Sequence, residues 1–321
     1  MRHLTILPIF IGGKWGYVKV DHGTVIIAPT YDYAGRFSDG RAVVGRNGVY
    51  GFIDLDGNEI VEIQFGSLAA YSEGLARAKV GKYSGYINFD GQLTIPARFG
   101  YCGSFAQGVA NVSDRTAEEL LIGLRSQSQI SDHYFINKDG LDAGFGRYLA
   151  CQSFVGGVAW VRDKEGWMGI NVQGSVVIEQ RFDVASSFSE GLAYVSGISA
   201  EKWEYGVFIR KDGMPQFGSP GFLVFPFSEG LAAVSRNYEV GFIDQYGRIA
   251  IDFQFDKVLP FRCGVAPVRI DGLWGAIDRS AQLIIKPMFD DLGMFEDGAA
   301  YYKRKEKNGY IAPDGAILVE I

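Results

Sequence analysis

The chain has 321 residues, of which 47% are hydrophobic, 21% charged and 14% aromatic; this is too apolar for a disordered chain and sizeable enough for one large domain or two ordinary ones. Lys and Arg total 31 against 37 Asp and Glu, and the resulting charge of −6 disfavours a general nucleic-acid or anionic-membrane surface. No run of apolar residues approaches the length of a transmembrane helix, and the 43 glycines, well above the usual share of about 7%, announce many turns.

The first apolar stretch, Ile6 to Phe10, is short, contains Pro8 and lacks a small-x-small cleavage site, so it reads as an opening strand rather than a secretion signal. Next comes a repeat. An aromatic followed three residues later by Gly recurs at Phe37, Tyr71, Phe105, Phe154, Phe188, Phe227, Phe261 and Phe295, with steps of 34, 34, 49, 34, 39, 34 and 34. A second ladder, Gly before two mostly apolar residues, runs through Gly16, Gly51, Gly85, Gly206, Gly241, Gly275 and Gly309, with Tyr134 and Met168 standing in for Gly.

Within one unit, Arg41 to Arg46 reads as strand A, Val49 to Asp54 as strand B and Glu59 to Gln64 as strand C, each short and rich in β-branched residues. Asp56-Gly57 separates B from C, and Asp90-Gly91, Asp139-Gly140, Asp212-Gly213 and Asp314-Gly315 match it; Asp-Gly suits a type I′ turn, whose two central residues both need positive φ. Asp54, Asn88, Asn137, Asn171 and Asp244 precede the turn Gly by three residues, as Asp278 precedes Ala281, and are expected to bond nearby backbone amides. In strand B an Ile column (Ile53, Ile87, Ile136, Ile170, Ile243, Ile277, Ile311) adjoins a largely aromatic one (Phe52, Tyr86, Phe135, Phe242, Tyr310). Neighbouring strand residues point to opposite faces, so both faces of B must be covered by adjacent units.

Lys14-Trp15-Gly16, Leu273-Trp274-Gly275, the Asp-Gly turns and Phe-Ser-Glu-Gly-Leu-Ala resemble the bacterial WG (KWG) β-repeat family along nearly the whole chain. The Trp before Gly departs to Tyr50, Ser84, Tyr205, Val240 and Asn308. The resemblance implies a non-enzymatic interaction or binding module. The expected fold is all-β: one array over residues 1–321 of about nine three-stranded repeats of 34 residues, open as a β-solenoid or superhelix, with a β-propeller as the alternative because 34 residues is short for a blade of about 40–45.

An insertion of 15 residues interrupts the array at about 113–131. Thr116-Ala-Glu-Glu119 has capping-box spacing, and Leu120, Leu121 and Leu124 share a helical face, which predicts a short helix near 114–126. Between the Ala and Val of strand A lies a variable place held by Val43, Arg77, Asn111, Trp160, Tyr194, Ala233, Pro267 and Tyr301. Its tolerance of Arg, Asn and Pro predicts a solvent-facing position, so Trp160 and Tyr194, extended by Trp203 in the enlarged loop of unit six, are the candidate partner-binding residues.

Catalytic signals are sparse. His3, His22 and His133 are scattered, and no zincin, nucleophile-elbow, Walker or dinucleotide pattern occurs, so no catalytic residue, cofactor or metal is expected. The acids before the motif Gly (Asp39, Glu73, Glu190, Glu229, Asp297) read as turn stabilisers. Cys102, Cys151 and Cys263 form no CxxC; Cys102 and Cys151 occupy a small apolar column and a reducing cytoplasm suits them. The sequence therefore predicts a cytoplasmic, non-catalytic scaffold that binds an unidentified protein and neither nucleic acid nor membrane, with a carbohydrate or cell-envelope module as the alternative.

Overall fold

The computed structural model describes residues 6–20, 23–116, 118–119, 132–197 and 203–321. Among these the chain forms nine antiparallel sheets whose strands follow one another in sequence order. The sheet over 33–65 shows the pattern: a leading strand of two residues, Tyr33–Ala34, then Ala42–Arg46 (strand A), Val49–Ile53 (strand B) and Glu59–Phe65 (strand C). Counting from the amino terminus, the sheets are blades 1 (6–31), 2 (33–65), 3 (67–99), 4 (101–148), 5 (150–182), 6 (184–218), 7 (222–255), 8 (257–289) and 9 (291–320). Blade 1 has three strands; in blade 4 strand C is reduced to the isolated bridges Ile136–Asp142 and His133–Tyr148. By contact density, Ile6–Val18 with Val25–Arg181 makes one compact unit, and Phe182–Ile321 is the body of a second.

The expected open solenoid of three-stranded units is corrected here. Seven of the nine blades are four-stranded and the fold is a nine-bladed β-propeller. In a solenoid, equivalent strands of successive units would join edge to edge into continuous sheets. Here each ladder of hydrogen bonds closes within its own unit, so successive units do not share a sheet. The strand missing from the sequence reading is the leading one: two residues show no periodicity, and that brevity is how 34 residues supply a whole blade.

The signature motif joins blade to blade. Its aromatic lies on the strand B aromatic of the preceding blade, with ring centroids 4.8 Å apart for Tyr17 and Phe37, 4.5 Å for Phe52 and Tyr71, 4.8 Å for Tyr86 and Phe105, and 4.9 Å for Phe242 and Phe261. Each such pair contributes about 0.5–1.5 kcal/mol beyond the area buried. The motif serine donates to the carbonyl of the next motif aromatic, Ser72 to Phe105 at 2.7 Å and Ser228 to Phe261 at 2.7 Å. The motif glutamate accepts from the next blade's turn amides: Glu73 from Gln107 at 2.6 Å and Gly108 at 3.0 Å, and Glu229 from Gly264 at 3.0 Å.

Turn chemistry divides differently from the expectation. Gly57 has φ +87° but Asp56 does not have positive φ, so the B–C connections are not type I′. Asp54 instead accepts the Gly57 amide on its carbonyl at 3.1 Å and the Asp56 and Asn58 amides on Oδ1 at 3.0 and 2.8 Å, which gives the Asx residues the turn-forming role expected of them. Type I′ geometry occurs at the motif turn, where Glu73 and Gly74 have φ of 52° and 88°, and at the A–B turn, where Asn47 and Gly48 have 51° and 77°.

The glycine of the second ladder has a separate cause. Strand C crosses strand B there at a register shift, and a Cβ on Gly51 would lie 2.4 Å from the Val61 carbonyl oxygen; on Gly85 it would lie 2.4 Å from that of Ile95. Tyr134 escapes this constraint because blade 4 has no regular strand C.

Of the insertion at 113–131, the capping box is formed: Thr116 Oγ1 accepts the Glu119 amide at 3.3 Å, and the Glu119 carboxylate accepts the Thr116 amide at 2.8 Å. Glu118 and Glu119 are helical, and Leu120, Leu121 and Leu124 lie outside the described residues.

Candidate functional site

Two of the three predicted binding residues do not face solvent. Trp160 is 1% exposed and Tyr194 4%, and most of their column is buried as well. The column faces the neighbouring blade: Arg77 Nη1 donates to the Cys102 carbonyl at 2.8 Å, and Asn111 Nδ2 donates to that of Cys151 at 2.8 Å. Polar residues are tolerated there because the next leading strand supplies acceptors, so variability did not signify exposure. Trp160 pairs with Gly169, which stands in the column where Phe52, Tyr86, Phe135 and Phe242 stand; one large ring replaces another across the strand pair. Tyr194 sits edge-on to Phe208 with centroids 5.6 Å apart, and its hydroxyl donates to the Tyr205 carbonyl.

Trp203 has a different setting. The A–B turn of two residues in blade 2 becomes, in blade 6, the whole connection from Ser196 to Val207, of which 198–202 lie outside the described residues. Trp203 is half-buried and lies against Gly218, where an added Cβ would come within 2.3 Å of its ring. Beside it, Tyr205 meets Phe222 edge to face at 5.1 Å and 89°. Phe222 is 57% exposed and pairs with Ser235, just short of the A–B turn of blade 7.

That turn ends on Tyr238, 101% exposed. Asn237 and Tyr238 have φ of 53° and 69°, the type I′ conformation that Asn47-Gly48 and Asp271-Gly272 adopt with glycine. In blades 2 and 9 a carboxylate supports the turn, Asp32 accepting the Asn47 amide at 2.7 Å and Asp290 that of Lys305 at 2.5 Å; blade 7 has Gly221 in that place. A bulky side chain at positive φ costs about 1–3 kcal/mol. The result is an aromatic edge of Trp203, Tyr205, Phe222 and Tyr238. Arg236 lies near by over the Phe253 ring at 4.5 Å, and hydrogen bonding to Glu204 holds the Tyr205 phenol above its ordinary pKa. Sequence reasoning missed Phe222 and Tyr238; the signal for the latter was a Tyr where the turns of blades 1, 2 and 8 carry Gly.

The remaining titratable groups do not converge on a reaction centre. Burial pushes the Cys102 thiol up to about 12 and raises that of Cys151, so both are neutral at physiological pH. His133 is shifted down by burial, against the opposing charge of Asp132, whose Oδ2 lies 3.5 Å from Arg115 Nε. Among the described residues no three His, Cys, Asp or Glu are grouped so as to hold a metal ion, and no helix is long and apolar enough to cross a membrane.

Comparison with known proteins bears on fold and family. No curated protein matches the sequence. A crystal structure of a eukaryotic initiation factor superposes with a TM-score of 0.65 at 9% identity, covering 99% of this chain and 96% of that one, which is the finding that sets aside the open solenoid. Weaker likenesses are Hsv2p of Kluyveromyces lactis (TM-score 0.35, 9% identity, 96% and 89% covered) and the extracellular domain of a one component system from B. thetaiotaomicron (TM-score 0.35, 12% identity, 98% of this chain and 57% of that one). The WG containing repeat matches residues 15–50, 50–83, 85–114, 167–196, 241–274 and 274–307. With more than half of its length matched in this way, the chain belongs to the WG-repeat family.

Proposed function

We propose that this WG-repeat propeller is a non-catalytic scaffold that binds another protein through the aromatic edge of blades 6 and 7. The observation that carries the reading is Tyr238, fully exposed and held at positive φ where the turns of blades 1, 2 and 8 use glycine, in the same blade as the exposed Phe222. Folding gains nothing from a strained, solvated aromatic; burial by a partner offsets the cost. The proposal takes the protein as bacterial and cytoplasmic, in keeping with the family resemblance and free cysteines, and as binding neither nucleic acid nor membrane, in keeping with the charge of −6.

A photo-crosslinking residue at position 238, compared with one at the exposed Ile317, tests it in cells. A discrete crosslinked protein at 238 alone, lost on Phe222→Ser, is expected; identical patterns at both positions would sink the assignment. The second reading, a carbohydrate ligand, draws on the same rings, which suit stacking on sugars. A glycan array separates the two, since sugar binding lost in Phe222→Ser would favour it.

A further inference from the structure

The geometry points to a binding site for a small planar carboxylate between blades 2 and 3, apart from the aromatic edge. An indentation of about 340 Å³ lies there, walled by Tyr33, Phe37, Phe52 and Tyr71 and carrying Arg36 and Arg41. Three of these residues break the repeat. The place of Arg41 is apolar in the other seven motif-bearing blades, as at Leu75, Val109 and Val158; that of Arg36 is held by Ala, Ser, Pro or Met; and Tyr71 is Phe everywhere else. Three departures converging on one cavity mark it as more than a gap between blades.

Arg41 is held in position. Its Nη1 donates to the Phe89 carbonyl at 3.0 Å, and its guanidinium carbon stands 4.9 Å from the Phe89 ring and 5.8 Å from that of Tyr71. A guanidinium has five donors in a fixed fork, so a fixed Arg41 keeps donors for a carboxylate. No acidic side chain lines the cavity among the described residues. The aromatic walls ask for an apolar planar body behind the anion. The volume, at the low end of the range of about 300–1,000 Å³ for small-molecule sites, suits a one- or two-ring compound.

Titration calorimetry of the full chain with benzoate and indole-3-acetate, against benzamide and inorganic phosphate, tests the inference. Saturable one-to-one binding of at least one carboxylate is expected, about tenfold tighter than benzamide or phosphate and weaker at high salt. Arg41→Leu installs the residue that blades 3, 6 and 7 carry there, so it is expected to fold and to weaken binding about tenfold. Arg41→Gln reads the same loss should Arg41→Leu melt early. No saturable carboxylate binding below about 1 mM, phosphate or benzamide binding as well as the carboxylates, or unchanged affinity in a folded arginine variant would each overturn the proposal.

Discussion

Trp160 opposite Gly169 shows how a column read as variable is a column of compensated volumes. Truncation there should leave a large cavity: Trp160→Ala is expected to destabilise by about 3–5 kcal/mol in chemical denaturation. Near-wild-type stability would mean that the ring is not core. Glu73 carries a different kind of contribution. Partial burial raises its pKa, but the Gly108 and Gln107 amides and the Lys138 ammonium outweigh this and hold the carboxyl below the usual carboxylate range. A depressed carboxyl favours the folded state above its unfolded pKa, and that gain is lost as pH falls through the folded value. Denaturation midpoints measured from pH 6 down to about 3 should therefore fall less steeply for Glu73→Gln than for the native chain; parallel curves would show that the Glu73 links to blade 4 do not stabilise.

A single strand B displays three constraints in five residues. Ile87 is fully buried, Tyr86 passes its hydroxyl hydrogen to the Gly103 carbonyl of blade 4 at 2.7 Å, and Gly85 lies under the Ile95 carbonyl of strand C. Ile87→Ala should cost about 2–5 kcal/mol. Gly85→Ala forces its Cβ against backbone and should cost about 1–3 kcal/mol, whereas Gly66→Ala, whose Cβ would rest 3.7 Å from its nearest neighbour, should be close to neutral. Equal melting temperatures for the two glycine variants would refute the crossing-strand account of the second ladder. The Asx turn formers and the Ile and aromatic columns were legible because each depends on neighbours in sequence. The type I′ turns were assigned to the wrong corner, since Asp-Gly also serves a turn in which only Gly takes positive φ.

The nine blades contain no helical element among the described residues beyond Glu118 and Glu119, so far-UV circular dichroism should be dominated by β structure. A helical fraction above about a third would contradict the fold. In function, Tyr238→Gly should leave stability unchanged or raise it by up to about 1 kcal/mol, by removing strain, while weakening partner capture. A variant both less stable and fully competent in capture would show that the turn serves the fold and not a partner.

The residue series alone determined the all-β class, the 34-residue period, the turn-forming Asx residues and membership of a repeat family, because those depend on spacing along the chain. Whether the units join edge to edge or each close their own sheet, and so whether the array is a solenoid or a propeller, depends on where strand edges find partners, which only the tertiary structure decided. The same holds for exposure. The tolerance of polar side chains in the column of Trp160 and Tyr194 predicts exposure, but backbone carbonyls of the neighbouring blade satisfy Arg77 and Asn111, so polarity there records a hydrogen bond across blades and not contact with water.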